Sequence, residues 1–106
     1  MMYFGLSEER LQTIRTVLAK YPKVKKAVIF GSRARGDCKY NSDIDLALYV
    51  MDKETFPPSL YLDLDEAAGI YKTNIIDMSE LDNESLRCQI EEQGQEIYSA
   101  TEYANT

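Results

Sequence analysis

At 106 residues, 44% hydrophobic and 28% charged, the chain has room for one domain with its own core, but not for a separate substrate-binding module. No apolar run approaches the roughly 20 residues that span a bilayer, and the N-terminus lacks the basic-then-apolar layout of a signal peptide, so a cytoplasmic protein without membrane contact is expected. There is no histidine, and Cys38 and Cys88 form no C-x-x-C pair, which leaves too few ligands for zinc, two free thiols, and only carboxylates, water, tyrosine or lysine for proton transfer.

The net charge of −6 is unevenly spread: residues 1–39 carry nine Lys/Arg and three Asp/Glu, whereas residues 40–106 carry three and fifteen. With a pI near 4.6 the chain lacks the broad basic footprint of a free-standing nucleic-acid binder, and direct nucleic-acid binding is not expected.

The first element is a helix over Leu6–Tyr21. Ser7 can cap it, Glu8 and Glu9 suit its first turn, Leu11, Ile14, Leu18 and Tyr21 form its stripe, and Pro22 stops it. Val24–Phe30 follows as a strand whose continuous apolar run implies burial on both faces. Gly31 ends that strand, a helical turn covers Ser32–Arg35, and Gly36 suits a left-handed ending. The loop 37–42 leads into a second strand, Ile44–Val50.

A charged, proline-containing connector covers residues 52–58. The stretch 59–69 alternates like a strand but also carries a helical face; Pro58 at a first turn and Gly69 at an ending favour a helix. On a helix Asp63 and Asp65 point about 200° apart and cannot converge on a metal. A third strand is expected over Asn74–Met78, then a helix capped by Asp82 or Asn83 and running to about Gln93, with Leu86 and Ile90 inward and Gly94 ending it. A short edge strand over 96–99 completes a domain of residues 1–99, and residues 100–106 form a loose tail.

The chemistry concentrates between Ala27 and Val50. Asp43 and Asp45 leave one face of a strand while Ile44, Leu46 and Leu48 leave the other. Two carboxylates so close repel, a divalent cation relieves them, and their hard oxygens suit magnesium with waters and phosphates in its remaining positions. An EF-hand is excluded because Ala47 and Leu48 stand where an oxygen ligand and a glycine are required. Gly31 and Ser32 close a strand and open a helical turn, so that backbone N–H groups can meet an anion; Arg35 and Arg33 could neutralise phosphate charge.

Taken together, GSRARGDCKYNSDIDLAL resembles the signature of the DNA polymerase β superfamily of nucleotidyltransferases, in its short form, the minimal nucleotidyltransferase or MNT. The resemblance implies an α+β, polymerase-β-like fold: a small mixed β-sheet with helices packed mainly on one side. It implies that Gly31 and Ser32 bind the triphosphate of ATP and that Asp43 and Asp45 bind catalytic Mg2+. A third carboxylate is expected on a later strand, where Asp77 in NIIDM matches, with Glu80 as the fallback.

The short chain must take its acceptor surface from a partner or a second copy, in a homo- or hetero-oligomer. Minimal members commonly pair with a HEPN ribonuclease toxin, and some transfer AMP from ATP onto a tyrosine of that toxin. The resemblance therefore implies an antitoxin that modifies a HEPN toxin. The alternatives are neutralisation by binding alone and modification of a small molecule.

Overall fold

The edge-to-edge order of the main sheet decides which side chains can meet, and it follows from where the chain turns. The structure, a computed structural model, describes residues 2–39, 41–50 and 56–100. The elements are β1 (Met2–Tyr3), β2 (Leu6–Ser7), α1 (Glu8–Ala19), β3 (Val24–Phe30), α2 (Ser32–Arg35), β4 (Ile44–Val50), α3 (Pro58–Ala68), β5 (Thr73–Asp77), α4 (Glu84–Gln93) and β6 (Gln95–Ser99). Four strands form one mixed sheet in the order β5-β4-β3-β6, and β1 and β2 form a separate small hairpin. The β3–β4 and β3–β6 pairs are antiparallel, while β4 and β5 run parallel and are joined through α3. A parallel pair needs such a crossover, because a short turn cannot return the chain to the same end of the sheet.

The sheet separates two apolar layers. On one face Ala27, Ile29, Ile44, Leu46 and Leu48 pack with Leu11, Ile14 and Leu18 of α1 and Leu60 and Leu64 of α3. On the other, Val28, Phe30, Ala47 and Met78 pack with Ile90 and Leu86 of α4. Two of the three long helices therefore cover one side, in accord with the fold class implied by the sequence. The alternation Ile44-in, Asp45-out, Leu46-in is what frees the aspartates to leave the face opposite α1 and α3.

Local signals account for the boundaries. Ser7 caps α1 by accepting from the Arg10 N–H, and Asn83 caps α4 by accepting from the Leu86 N–H. Pro58 begins α3, and Gly69 ends it at φ 67°. Gly94 ends α4 as expected, in an extended conformation, and its glycine is required because a Cβ there would overlap Val28 and the Ile90 carbonyl. The N-terminal helix begins at Glu8, because Leu6 and Ser7 pair with β1 across a turn with positive φ at Phe4 and Gly5. As α3 is a helix, Asp63 and Asp65 diverge, and Asp63 accepts the Tyr21 hydroxyl instead. Cys38 and Cys88 are free thiols. No helix among the described residues is long and apolar enough to cross a membrane. The connector at 51–55 and the tail from 101 lie outside the described residues.

Candidate active site

At the edge where β3 ends and β4 begins, the antiparallel register places Phe30 beside Asp45. The next residue, Gly31, turns the chain at φ 75° and ψ −152°, a conformation open only to glycine, and leads into the four residues of α2. A Cβ on Gly31 would overlap the Asp45 Oδ2 atom. One missing methyl group therefore does two things: it permits the turn, and it lets the Asp45 carboxylate lie against the turn's backbone. Gly36 ends α2 in the left-handed conformation expected of it, its N–H donating to the Ser32 carbonyl. Among the described residues, the exposed Arg35 side chain pairs with its neighbour Asp37, at 3.4 Å.

Asp43 and Asp45 come together as the strand period requires. Both accept from a single nitrogen: Asn74 Nδ2 lies 3.0 Å from Asp43 Oδ2 and 2.8 Å from Asp45 Oδ1. Two carboxylates about 5 Å apart repel by roughly 3 kcal/mol at an effective dielectric near 20, and the positive end of the amide dipole offsets part of this. Asn74 stands beside Asp45 in the parallel β4–β5 register and so leaves the same face of the sheet. Sequence reasoning missed this residue. The pair is half-buried at a sheet edge, and its oxygens fit a magnesium-type cation, which takes one or two carboxylates together with waters and substrate phosphates.

Asp77 is not brought to this pair. It stands beside Leu48, three register positions beyond Asp45, roughly 10 Å along the strand at ~3.3 Å per residue. Its odd offset also turns it to the opposite face, that of Leu48 and Ile75. There its Oδ1 accepts from the Ser79 N–H at 2.9 Å and the Ser79 hydroxyl at 2.7 Å, closing the turn after β5. Burial raises the pKa of Tyr61 on α3, and the negative charges of Asp77 and Glu80 raise it further. Among the described residues no group of three Cys, Asp or Glu side chains is placed to hold a metal ion.

Arg33 points inward. Only 1% exposed, its guanidinium donates to the carbonyls of Phe4 at 2.9 Å, Ser42 at 2.7 Å and Asp43 at 3.3 Å, and lies 4.7 Å from the centre of the Tyr71 ring. The residue ties the N-terminal hairpin to the loop that delivers Asp43. Gly31, Ser32, Arg35, Asp43 and Asp45 remain at one edge; Arg33 supports that edge from inside. An apolar groove of about 470 Å³ lined by Tyr21, Phe56 and Pro57 lies at the other end of β3, away from these residues.

A strand ends in a glycine turn, Asp45 of the next strand lies against that turn, and Asp43, just before the strand, is joined to Asp45 through Asn74. A profile of the polymerase beta nucleotidyltransferase family matches residues 12–103. The chain belongs to that family. No curated protein matches the sequence of this nucleotidyltransferase-family chain. Among solved structures it is similar to a chain of a toxin-antitoxin crystallised with AMP-PNP, at 24% identity and a TM-score of 0.70, covering 84% of this chain and 73% of that one. It is also similar to a chain of the toxin-antitoxin MntA-HepT, at 21% identity and a TM-score of 0.66, covering 91% and 75%. At these identities the likeness establishes the fold.

Proposed function

We propose that this nucleotidyltransferase-family protein transfers AMP from ATP onto a hydroxyl, a tyrosine of a HEPN-type toxin, and so acts as that toxin's antitoxin. The observation that carries the proposal is the seating of Asp45 against the Gly31 turn, with Asp43 paired to it through Asn74. The similar structures support the biological setting, since one is a toxin-antitoxin with AMP-PNP, an ATP analogue, and another is MntA-HepT.

In this reading Gly31 and Ser32 offer backbone N–H groups and a hydroxyl to the triphosphate, Arg35 swings from Asp37 to neutralise phosphate charge, and Asp43 and Asp45 hold Mg2+. Bound there, the cation supplies charge neutralisation to the phosphates. The site binds and orients the α-phosphate so that the acceptor oxygen can approach in line with the departing pyrophosphate. A bond forms from the hydroxyl oxygen to the α-phosphorus, the bond from that phosphorus to the bridging oxygen breaks, and pyrophosphate leaves with the electron pair. The hydroxyl proton passes to water or to a base of the partner.

The amide of Asn74 favours a second reading, neutralisation of the toxin by binding alone, because an amide cannot take the proton that a third carboxylate would accept. Intact-mass measurement of the chain and its neighbouring-gene product, incubated with ATP and magnesium, separates the two. Additions of AMP mass to the partner that vanish with Asp43→Ala establish transfer. Undiminished neutralisation by that variant without any mass change establishes binding alone. Turnover of a small hydroxyl compound, with neither protein modified, would refute both.

A further inference from the structure

The two aspartates and Asn74 form one hydrogen-bonded unit, and its third member is neutral. Its orientation is fixed by its neighbours: both are carboxylates, which only accept, so the amide must turn its nitrogen to them. Each N–H of Nδ2 then serves one aspartate, and the amide oxygen faces away from both. A carboxylate in this place would add a third negative charge within a few ångströms of the first two. Nothing among the described residues replaces that charge, since Asp77 lies on the opposite sheet face and is held by Ser79.

We infer that Asn74 makes this a site for one divalent cation rather than two, with the acceptor hydroxyl deprotonated by a group other than those described beside the aspartate pair. The inference rests on the nucleotidyl-transfer reading and specifies its metal count. Two carboxylates balance one doubly charged cation, and that cation can travel with the triphosphate. A second, close to the first, would meet the repulsion of two positive charges without the additional acid needed to offset it. Asn74 is a positioning residue here: it holds the Asp43–Asp45 pair at a fixed spacing before any cation arrives, and it sets how much positive charge the pair can accept.

The count is measurable without turnover. Manganese bound by the 106-residue chain in the presence of saturating AMP-PNP is counted by equilibrium dialysis and by electron paramagnetic resonance, in the wild type, Asn74→Asp and Asn74→Ala. The expected result is one Mn2+ per nucleotide-loaded wild-type chain and two for Asn74→Asp. Asn74→Ala should still bind one, with affinity reduced several-fold because the pair is no longer held. A residue serving only to stabilise the strand would leave the count at one in all three. In transfer assays Asn74→Asp should raise the rate about 100-fold, the lower range for a positioned base, and shift the pH profile to the acid side. Two Mn2+ on the wild type with nucleotide bound, or a count that stays at one in Asn74→Asp, would overturn this inference and leave nucleotidyl transfer standing. Failure of the wild type to bind either AMP-PNP or Mn2+ would overturn both.

Discussion

Replacing Arg33 by alanine removes the group that joins three separate segments. Its guanidinium donates to the carbonyls of Phe4 in the hairpin, and of Ser42 and Asp43 in the approach to β4, while its plane rests over Tyr71. Hydrogen bonds to a charged donor contribute roughly 1.5–3 kcal/mol each, and a cation over an aromatic ring about 2 kcal/mol or more when desolvated. The 3.3 Å contact is the weakest of the three. Counting two good bonds and the ring, and allowing for water entering the space left behind, Arg33→Ala should cost about 3–5 kcal/mol, within the range for breaking a buried charged network. At ~4–8 °C per kcal/mol for a domain of this size, the melting temperature should fall by about 12 °C or more. Arg33→Lys keeps the charge but not the fork, so it should recover only part of the loss. Thermal melts by circular dichroism give the stability, and calorimetric titration with Mg-AMP-PNP, well below each variant's midpoint, gives the affinity. The decisive outcome is the relation between them: Arg33→Ala should be strongly destabilised, with affinity reduced through the loosened Asp43 loop. A variant that melts within ~2 °C of wild type yet no longer binds nucleotide would refute the buried-strut account and return Arg33 to the phosphates.

Gly31→Ala puts a methyl group onto Asp45 Oδ2 at a backbone conformation reserved for glycine, and should cost about 1–3 kcal/mol in the melt while abolishing Mg-AMP-PNP binding by calorimetry. Arg35→Ala, by contrast, removes an exposed side chain whose ion pair among the described residues is local, so stability should stay within about 0.5 kcal/mol while nucleotide affinity falls about tenfold; unchanged affinity would remove Arg35 from the site. Three tyrosines should ionise above the usual value of ~10 in an alkaline absorbance titration: Tyr21 because its hydroxyl is bonded to the Asp63 carboxylate, Tyr49 because it is partly buried and near Glu91, and Tyr61 because it is partly buried and near Asp77 and Glu80. Each raised value means that the folded state favours the protonated phenol. The stability it contributes is therefore complete below pH ~10 and lost as pH rises through the folded-state value; Tyr21→Phe should remove one late-ionising group, and an unchanged titration would contradict the Tyr21–Asp63 bond.

Much of the fold was legible because its elements are bounded by strong local signals. The limits of β3 and β4 follow from apolar runs that stop at Gly31 and begin after Asp43, and α3 from Pro58 and Gly69. The hairpin of β1 and β2 was not legible: strands of two residues have no period to detect, and only Gly5 hints at the turn. The role of Arg33 was hidden for a different reason. An arginine two places after a glycine turn has the same sequence appearance whether it reaches out to a phosphate or inward to carbonyls, and what decides between them here is a set of long-range partners, Phe4, Ser42, Asp43 and Tyr71, that no spacing rule brings together.

Asn74 and Asp77 differ in that the sequence did contain the means to choose between them. Asp77 is the carboxylate that the resemblance assigns to the third strand, an assignment by residue type and approximate place. Geometry selects by position. β4 and β5 are parallel strands joined through a helix, so the beginning of one lies beside the beginning of the other. Asp43 and Asp45 flank the start of β4, and any side chain meeting them must therefore come from the start of β5, at Thr73 or Asn74, not from its end. Strand parity then rejects Thr73, which stands beside Ile44 and shares its core-facing side, and selects Asn74, which stands beside Asp45. The same two steps turn Asp77 away, since it is three positions on from Asn74 and faces the other side. An amide therefore occupies the position where chemistry alone would lead one to expect an acid, and the charge of the site is set at that position.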